Sequence, residues 1–477
     1  MLGRARRFLR RRPLALPART AGTPPLLGLH FEPLARSRPF ALVAPQFAQL
    51  DIHPPAGRVE GVVRTEHTPV APFAAVELDV QQAQGSTVVA GLVAGARDYV
   101  LATYDPARRE AGIEVAVAGS TTVVQRRRLA LSSPFRFAFV LCENQVTALL
   151  DTGAGWQPLL TSRQKVAALV DFRDPELLSR HAYAYGGRGG EAGIGRVSAG
   201  SFGMAGLRDP HLVQLPDGSP YAPDGRHYLT FTCAGLGGFQ QAHCGVFAFD
   251  STDPSRVEQT AQLFFRRDGL LLGDHAGQLV WDPDSQRFLA MVSSWGNFTG
   301  DGVHIRHLAT GADLLRGVHV LDSEPLTLPT AMSAWDPAFA RVGDRWHVAF
   351  VESPSQRPFT FHPALAVGEP GAAYDGPLRM VGSDESRTQC EGTLLSRFAD
   401  QWLLLASDER AKRYLAYDLD MTVLGALDAP YGTNIPHPQL MPDGNGGYLM
   451  VTFDGTQYAE PVLGYGTHGD VVVLASH

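Results

Sequence analysis

"SAWDPAFARVGDRWHVAFVES", residues 333 to 353, decides the fold. Trp335 and Asp336 stand before a proline. Gly343-Asp344 then signals a turn, and the strand that follows reads Trp346, Val348, Phe350 on one face. The pattern recurs: "LRDPHLVQLPDGSPYAPDGRHYLTFT" starts at Leu207, "LLGDHAGQLVWDPDSQRFLAMVSS" at Leu271, "TQCEGTLLSRFADQWLLLAS" at Thr388 and "NIPHPQLMPDGNGGYLMVTFDG" at Asn434. Each copy has a polar anchor, a few apolar residues, a turn and an apolar strand. The anchors are Asp209, Asp274, Asp336, Glu391 and His437, at spacings of 65, 62, 55 and 46 residues. A repeat of that length with several short strands predicts a propeller. Five copies predict five blades over residues 204–477, with the terminal "DVVVLASH" completing one of them.

Upstream the pattern changes. "AAVELDV", "STVVAGLVAG", "DYVLATY", "GIEVAVAG", "TTVVQRRRLAL" and "FRFAFVLCENQVTALL" read as strands, several with period-two alternation, divided by Gly, Asp and Ser turns. No long amphipathic helix interrupts them. Residues 26–203 therefore predict a β-sandwich of the jelly-roll, lectin-like type, so that the whole chain is all-β. The glycine-rich "YGGRGGEAGIGRVSAGSFG", residues 185–203, is the expected domain boundary. Its glycines do not sit between a strand and a helix, which excludes a nucleotide-binding loop.

The first 22 residues carry seven arginines and no acid, and "PLALPA" is too short and too proline-broken for the apolar core of a signal peptide. Residues 1–25 are expected to be a basic, disordered tail, and the expected compartment is the cytoplasm. No apolar run approaches a bilayer span, so no membrane partner is expected. A net charge of -7 gives no reason to expect nucleic acid. The four cysteines, Cys142, Cys233, Cys244 and Cys390, lack the paired spacing of a zinc site. Cys233 and Cys244 flank "AGLGGFQQAH" and are placed to meet across a hairpin.

In a propeller the innermost strand of each blade lines the central channel. Anchors that begin these strands converge on one funnel. An Asp before Pro is commonly only a turn residue, but grouped carboxylates repel one another and cost stability unless used. Glycoside hydrolysis uses such a group: one carboxylic acid protonates the departing oxygen and a second carboxylate activates water or attacks the sugar. The order Asp-Pro, Trp-Asp-Pro, Glu-Gly and a late histidine resembles the five-bladed glycoside hydrolases of family 43, within the superfamily they form with families 32 and 68. That resemblance covers about 270 residues, not the sandwich. It implies Asp209 of "RDPHL" as general base, Asp336 of "WDPAF" as the residue that tunes the acid's pKa, and Glu391 of "CEGTLL" as general acid. His437 of "IPHPQL" matches a channel histidine that lies near a calcium ion in some members. Calcium is therefore compatible, though no cofactor is required. Thr393 stands where the family has proline, Pro436 and Pro438 flank His437 where it has glycines, and Asp274-His275 replaces its aromatic-proline pattern in blade two. These departures bear on the substrate.

Asp274, His275, Trp335, Arg387 and His437 are the candidate substrate contacts. Trp335 stands beside Asp336 as a possible sugar-stacking face, although propellers also bury tryptophan between blades. The expected partner is a carbohydrate, an arabinose- or xylose-containing glycan being the first choice, cleaved with inversion. A retaining fructan-type hydrolase is the alternative within the resemblance, and a carbohydrate-binding or repurposed, non-hydrolytic propeller is the alternative outside it.

Overall fold

The computed structural model describes residues 25–299, 302–398, 400–457 and 469–477. The basic tail, apart from Pro25, lies outside the described residues. The chain builds a five-bladed β-propeller on which a second β domain rests. Blade one begins with Leu207–Leu212, followed by His227–Cys233, His243–Phe249 and Val257–Arg267. Blade two is His275–Asp282, Arg287–Ser293, Ile305–Thr310 and Glu324–Pro325. Blade three is Ser333–Val342, Arg345–Gln356, Phe359–Gly368 and Leu378–Ser383, and blade four is Cys390–Phe398, Gln401–Asp408, Arg413–Tyr417 and Val423–Ala426. Blade five takes Gln439–Pro442, Tyr448–Asp454 and Asp470–Ser476 from the C-terminal end.

Its fourth strand comes from the other end of the chain. Phe31–Ser37 pairs antiparallel with Asp470–Ser476, Phe31 opposite Ser476 and Ser37 opposite Val471. The sequence reading placed this segment at the start of the sandwich, and the structure moves it to the propeller. A strand that leaves one sheet edge bare is a liability, and the N-terminal strand covers that edge and closes the ring. Phe31 is fully buried between blades four and five with Leu394, Phe398, Tyr414 and Leu474.

Strand alternation explains how the blades stack. On Arg345–Gln356, Trp346, Val348 and Phe350 face blade two, where they meet Val280, Leu289 and Met291. Ala349 points the other way, and with Ala338, Ala340 and Leu365 it meets Leu395, Leu404 and Tyr417 of blade four. Similar apolar layers lie between blades one and two, four and five, and five and one. These five layers close a five-membered ring, and strands such as Arg345–Gln356 are apolar on both faces because both are covered.

The N-terminal domain is an eleven-stranded sheet folded over one core that includes Tyr104, Phe137, Phe139 and Phe202. Its pivot is Ala182–Met204, a 23-residue strand that contains the glycine-rich stretch 185–203 and ends just before blade one begins at Leu207. Its first half pairs with Arg58–Arg64 and Thr87–Gly95, its second with Ala41–Ile52 and Phe73–Gln82. One strand thus serves both halves of the sheet, and glycine permits the bend and the close packing. Gly186 has φ +141°, and a Cβ there would lie 2.1 Å from the Gly61 carbonyl oxygen. The only α-helices among the described residues are Gln164–Ala167 and Pro175–Ser179, and none is long and apolar enough to cross a membrane. All four cysteines are free and buried. Cys233 sits opposite His243, and Cys244 opposite Thr232, so they are neighbours in the ladder without a bond.

Candidate active site

The inner strands break register at the same step in four blades. The shifts fall between Arg208 and His211, His275 and Gln278, Trp335 and Ala338, and Glu391 and Leu394. Each break is a β-bulge, and each carries a left-handed residue: Asp209 (φ 53°), Ala276 (51°), Asp336 (50°) and Gly392 (71°). Bulges re-aim side chains, and left-handed backbone at non-glycine residues costs about 1–3 kcal/mol each. In blade five the first paired residue is Gln439. Counting back from it places His437 at the bulge position and Pro436 before it.

Two rings of residues follow. Asp209, Ala276, Asp336, Gly392 and His437 form one. Arg208, His275, Trp335, Glu391 and Pro436 form the other, one residue earlier. The five sequence anchors are therefore not equivalent. Asp209, Asp336 and His437 share a level, Glu391 belongs to the level beside them, and Asp274 lies two residues before its bulge. Hairpin loops of different length make spacing between polar letters an unreliable register.

The carboxyls and His437 converge. His437 Nε2 lies 3.6 Å from Asp209 Oδ1 and 3.6 Å from Asp336 Oδ2. Gly392 N donates to Asp336 Oδ2 at 3.1 Å, and Thr393 Oγ1 donates to the Asp336 carbonyl at 2.6 Å. Ser293 Oγ accepts from Asp336 N at 2.9 Å, which ties the bulge to blade two. Gly392 is required here: a Cβ would stand 2.3 Å from His437 Cδ2. Trp335 Nε1 donates to Glu391 Oε2 at 3.1 Å.

The environments push the carboxyls apart. Burial raises Asp209, but His437 while it is protonated in acid, the Arg208 charge and a hydrogen bond from Thr232 outweigh it and leave Asp209 below the usual range. Asp336 is held well above it, by burial first and then by the charges of Glu391 and Asp209. Glu391 is pushed up to about 7, by desolvation and then by the charge on Asp209, against the Trp335 hydrogen bond. The residue nonetheless keeps part of its surface open, unlike the buried Asp209 and Asp336. Burial lowers His437 to about 4, so it is neutral at physiological pH.

Arg208 is a site residue that sequence reasoning passed over, although it directly precedes Asp209. Its guanidinium lies 4.5 Å from the centroid of the Phe453 ring in blade five, and its charge acts on all three carboxyls. Phe359 is another. It is 42 % exposed and stacks on Trp335 at 5.7 Å.

Three expected substrate contacts are placed differently. Trp335 is 2 % exposed, enclosed by Trp295, Phe359 and Phe361, so it orients Glu391 instead of offering a face to a sugar. Asp274 is fully buried, its carboxylate held by Arg267 at 2.6 and 2.8 Å and by Gly296 N at 2.9 Å, and it braces the Trp295 turn. Arg387 is committed to Asp384 and Asp408 at 3.1 and 2.9 Å. His275 is at the channel but buried, with Nε2 3.0 Å from the Phe239 carbonyl oxygen. His437 Nδ1 is buried without a hydrogen-bond partner. Among the described residues, no group of three His, Cys, Asp or Glu side chains is arranged to hold a metal ion.

Neither a protein-family model nor a curated protein gives a significant match to the chain. Among solved structures, it is similar to Bacillus subtilis levansucrase at 9 % identity, covering 55 % of this chain and 81 % of that one, with a TM-score of 0.41. A GH43_1 enzyme from Xanthomonas citri complexed with xylose is similar at 15 % identity, covering 57 % and 87 %, with a TM-score of 0.37. A Penicillium chrysogenum alpha-L-arabinanase complexed with arabinobiose is similar at 10 % identity, covering 87 % and 98 %, with a TM-score of 0.34. Likenesses this distant carry no argument about chemistry, which rests on the geometry above.

Proposed function

We propose that the chain is a glycoside hydrolase whose catalytic residues are Glu391, Asp209 and Asp336. One observation carries the reading: two carboxyls facing one channel are driven in opposite directions, Glu391 up to about 7 and Asp209 below its ordinary value. Titratable pairs pushed apart by their surroundings mark the acid and the base. Glu391, partly open and protonated near neutrality, donates its proton to the departing glycosidic oxygen. Asp209, ionised, takes a proton from the water that attacks the anomeric carbon. Asp336 stays uncharged beside His437, anchored by Gly392 N, and its titration is tied to those of Glu391 and Asp209. The net change is addition of water across the bond, with inversion at the anomeric carbon.

The substrate class that fits is a neutral glycan, an arabinose- or xylose-containing one first. Phe359, open beside the Trp335–Glu391 pair, takes the stacking role expected of Trp335. Hydrolysis of a panel of aryl glycosides and oligosaccharides by the wild type, Glu391→Gln and Asp209→Asn tests the proposal. Turnover by the wild type and its loss in both variants supports it. Equal turnover in all three refutes it. The anomer first released, read by NMR, separates inversion from retention.

A further inference from the structure

Among the buried carboxyls outside the catalytic set, Glu143 is left half-satisfied. Glu143 belongs to the N-terminal domain, at the turn between Phe135–Cys142 and Gln145–Asp151, and has φ 56°. It is 2 % exposed. Its Oε1 accepts from Gly273 N in the propeller at 2.9 Å, while Oε2 is buried with no hydrogen-bond partner. A left-handed non-glycine residue with a half-satisfied buried carboxyl is costly and needs a reason.

The surroundings supply one. Gly273 is followed by Asp274, whose Oδ1 holds Gly296 N at 2.9 Å. Gly296 follows Trp295, whose ring packs 5.6 Å from Trp335, and Trp335 holds Glu391. Neighbouring contacts come from the same domain. Arg163 Nη1 donates to Gln240 Oε1 at 3.2 Å, beside the Phe239 ring that stacks on Trp295 at 4.8 Å. The Arg173 carbonyl accepts from Leu271 N at 2.8 Å. Phe73, His243 and Phe264 stack across the same boundary.

We propose that Glu143 is a positioning residue that seats the N-terminal domain on the Gly273–Asp274 turn and, through Trp295 and Trp335, fixes the catalytic acid. The domain is then part of the active-site frame and not a separate binding module. The residue does this as an uncharged acid. Ionised, it would hold one donor in a dry boundary, facing the carboxylates of Asp274 and Asp171. Arg267 is committed to Asp274 and Arg173 to Asp171, Cys142 is a buried thiol, and burial lowers His243 to about 3, so it is neutral. Burial first, then Asp274 and Asp171, hold Glu143 well above the ordinary range, against the Gly273 hydrogen bond and the Arg173 charge. The sign follows: a raised folded-state pKa gives stability that is fully present below the unfolded value, about 4.3, and is lost as pH rises toward the folded value.

The inference rests on the glycosidase reading for its effect on Glu391, but its test separates the two. The full chain is compared with Glu143→Gln and Glu143→Ala by thermal unfolding from pH 4.5 to 9 and by pH–rate profiles. Glutamine keeps the Gly273 hydrogen bond without a proton to lose. It should match the wild type near pH 4.5, melt higher at pH 8 and leave the alkaline limb of the rate unmoved. Alanine should melt lower at every pH and move that limb by half a pH unit or more. A glutamine curve parallel to the wild type overturns the uncharged state. An alanine variant that melts lower with an unmoved pH–rate limb overturns positioning. If no substrate is turned over, the near-ultraviolet circular dichroism of Trp295 and Trp335 replaces the rate, and an unaltered spectrum in the alanine variant overturns positioning as well.

Discussion

Trp335→Phe isolates the contact that sets the acid. Phenylalanine keeps an aromatic ring among Trp295, Phe359 and Phe361 but removes the indole N–H that donates to Glu391 Oε2 at 3.1 Å. That bond favours the ionised carboxylate, so its loss favours the acid form. A hydrogen bond to a charged group contributes about 1.5–3 kcal/mol, and one pKa unit corresponds to about 1.36 kcal/mol. Starting from about 7, Glu391 should rise by about 1–2 units. A general acid works while protonated, so the alkaline limb of kcat/KM moves up by that amount. The assay is hydrolysis of an aryl glycoside with a poor leaving group from pH 5 to 10, with folding checked by thermal unfolding. The packing loss should stay below the about 3–5 kcal/mol of a Trp-to-Ala truncation. An alkaline limb that stays in place or moves down would refute the reasoning, because either Trp335 does not act on the carboxylate or Glu391 is not the acid.

Gly392→Ala should both destabilise and inactivate, since its Cβ meets the His437 ring at 2.3 Å and its φ is +71°. A melting temperature within a degree of wild type and full turnover would exclude that steric account. Phe359→Ala should raise KM for oligosaccharides by roughly 2–12-fold, the equivalent of about 0.5–1.5 kcal/mol of aromatic contact, and leave kcat on small aryl glycosides near wild type. Deleting residues 25–37 removes the fourth strand of blade five and exposes the Asp470–Ser476 edge. Cooperative unfolding should be lost or fall steeply in temperature, as calorimetry would show, whereas an unchanged transition would mean the ring closes without that strand.

The repeating unit was legible because each inner strand must carry the same turn and the same apolar alternation. Asp209, Asp336, Glu391 and His437 could be named from their place in that unit, and the structure brings them together. The register within the unit was not legible. The bulge that aims Asp209 and Asp336 into the channel shows in the sequence only as Asp-Pro, and in blades two and four the same step reads Ala-Gly and Gly-Thr. Glu391 and Asp274 were therefore treated as equivalents of Asp209, though only Glu391 reaches the channel. Trp335 read as a platform because its letter stands beside an aspartate. Its burial depends on Phe359 and Phe361, more than 20 residues on, which fold back over it. The N-terminal strand of blade five carries no repeat signature, so nothing before folding distinguishes it from a sandwich strand. The glycines of residues 185–203 read as punctuation because their close backbone neighbours, such as Gly61, are distant in sequence.

Titration of Glu391 itself tests the division between acid and base most directly. Infrared difference spectra between the wild type and Glu391→Gln, from pH 4 to 9, isolate that one carboxyl. A protonated band lost near pH 7, with the Asp209→Asn variant lowering that midpoint because it removes a neighbouring negative charge, is the expected result. A midpoint near the ordinary 4.3 of glutamate, unmoved by Asp209→Asn, would contradict the assignment of Glu391 as the acid of this channel.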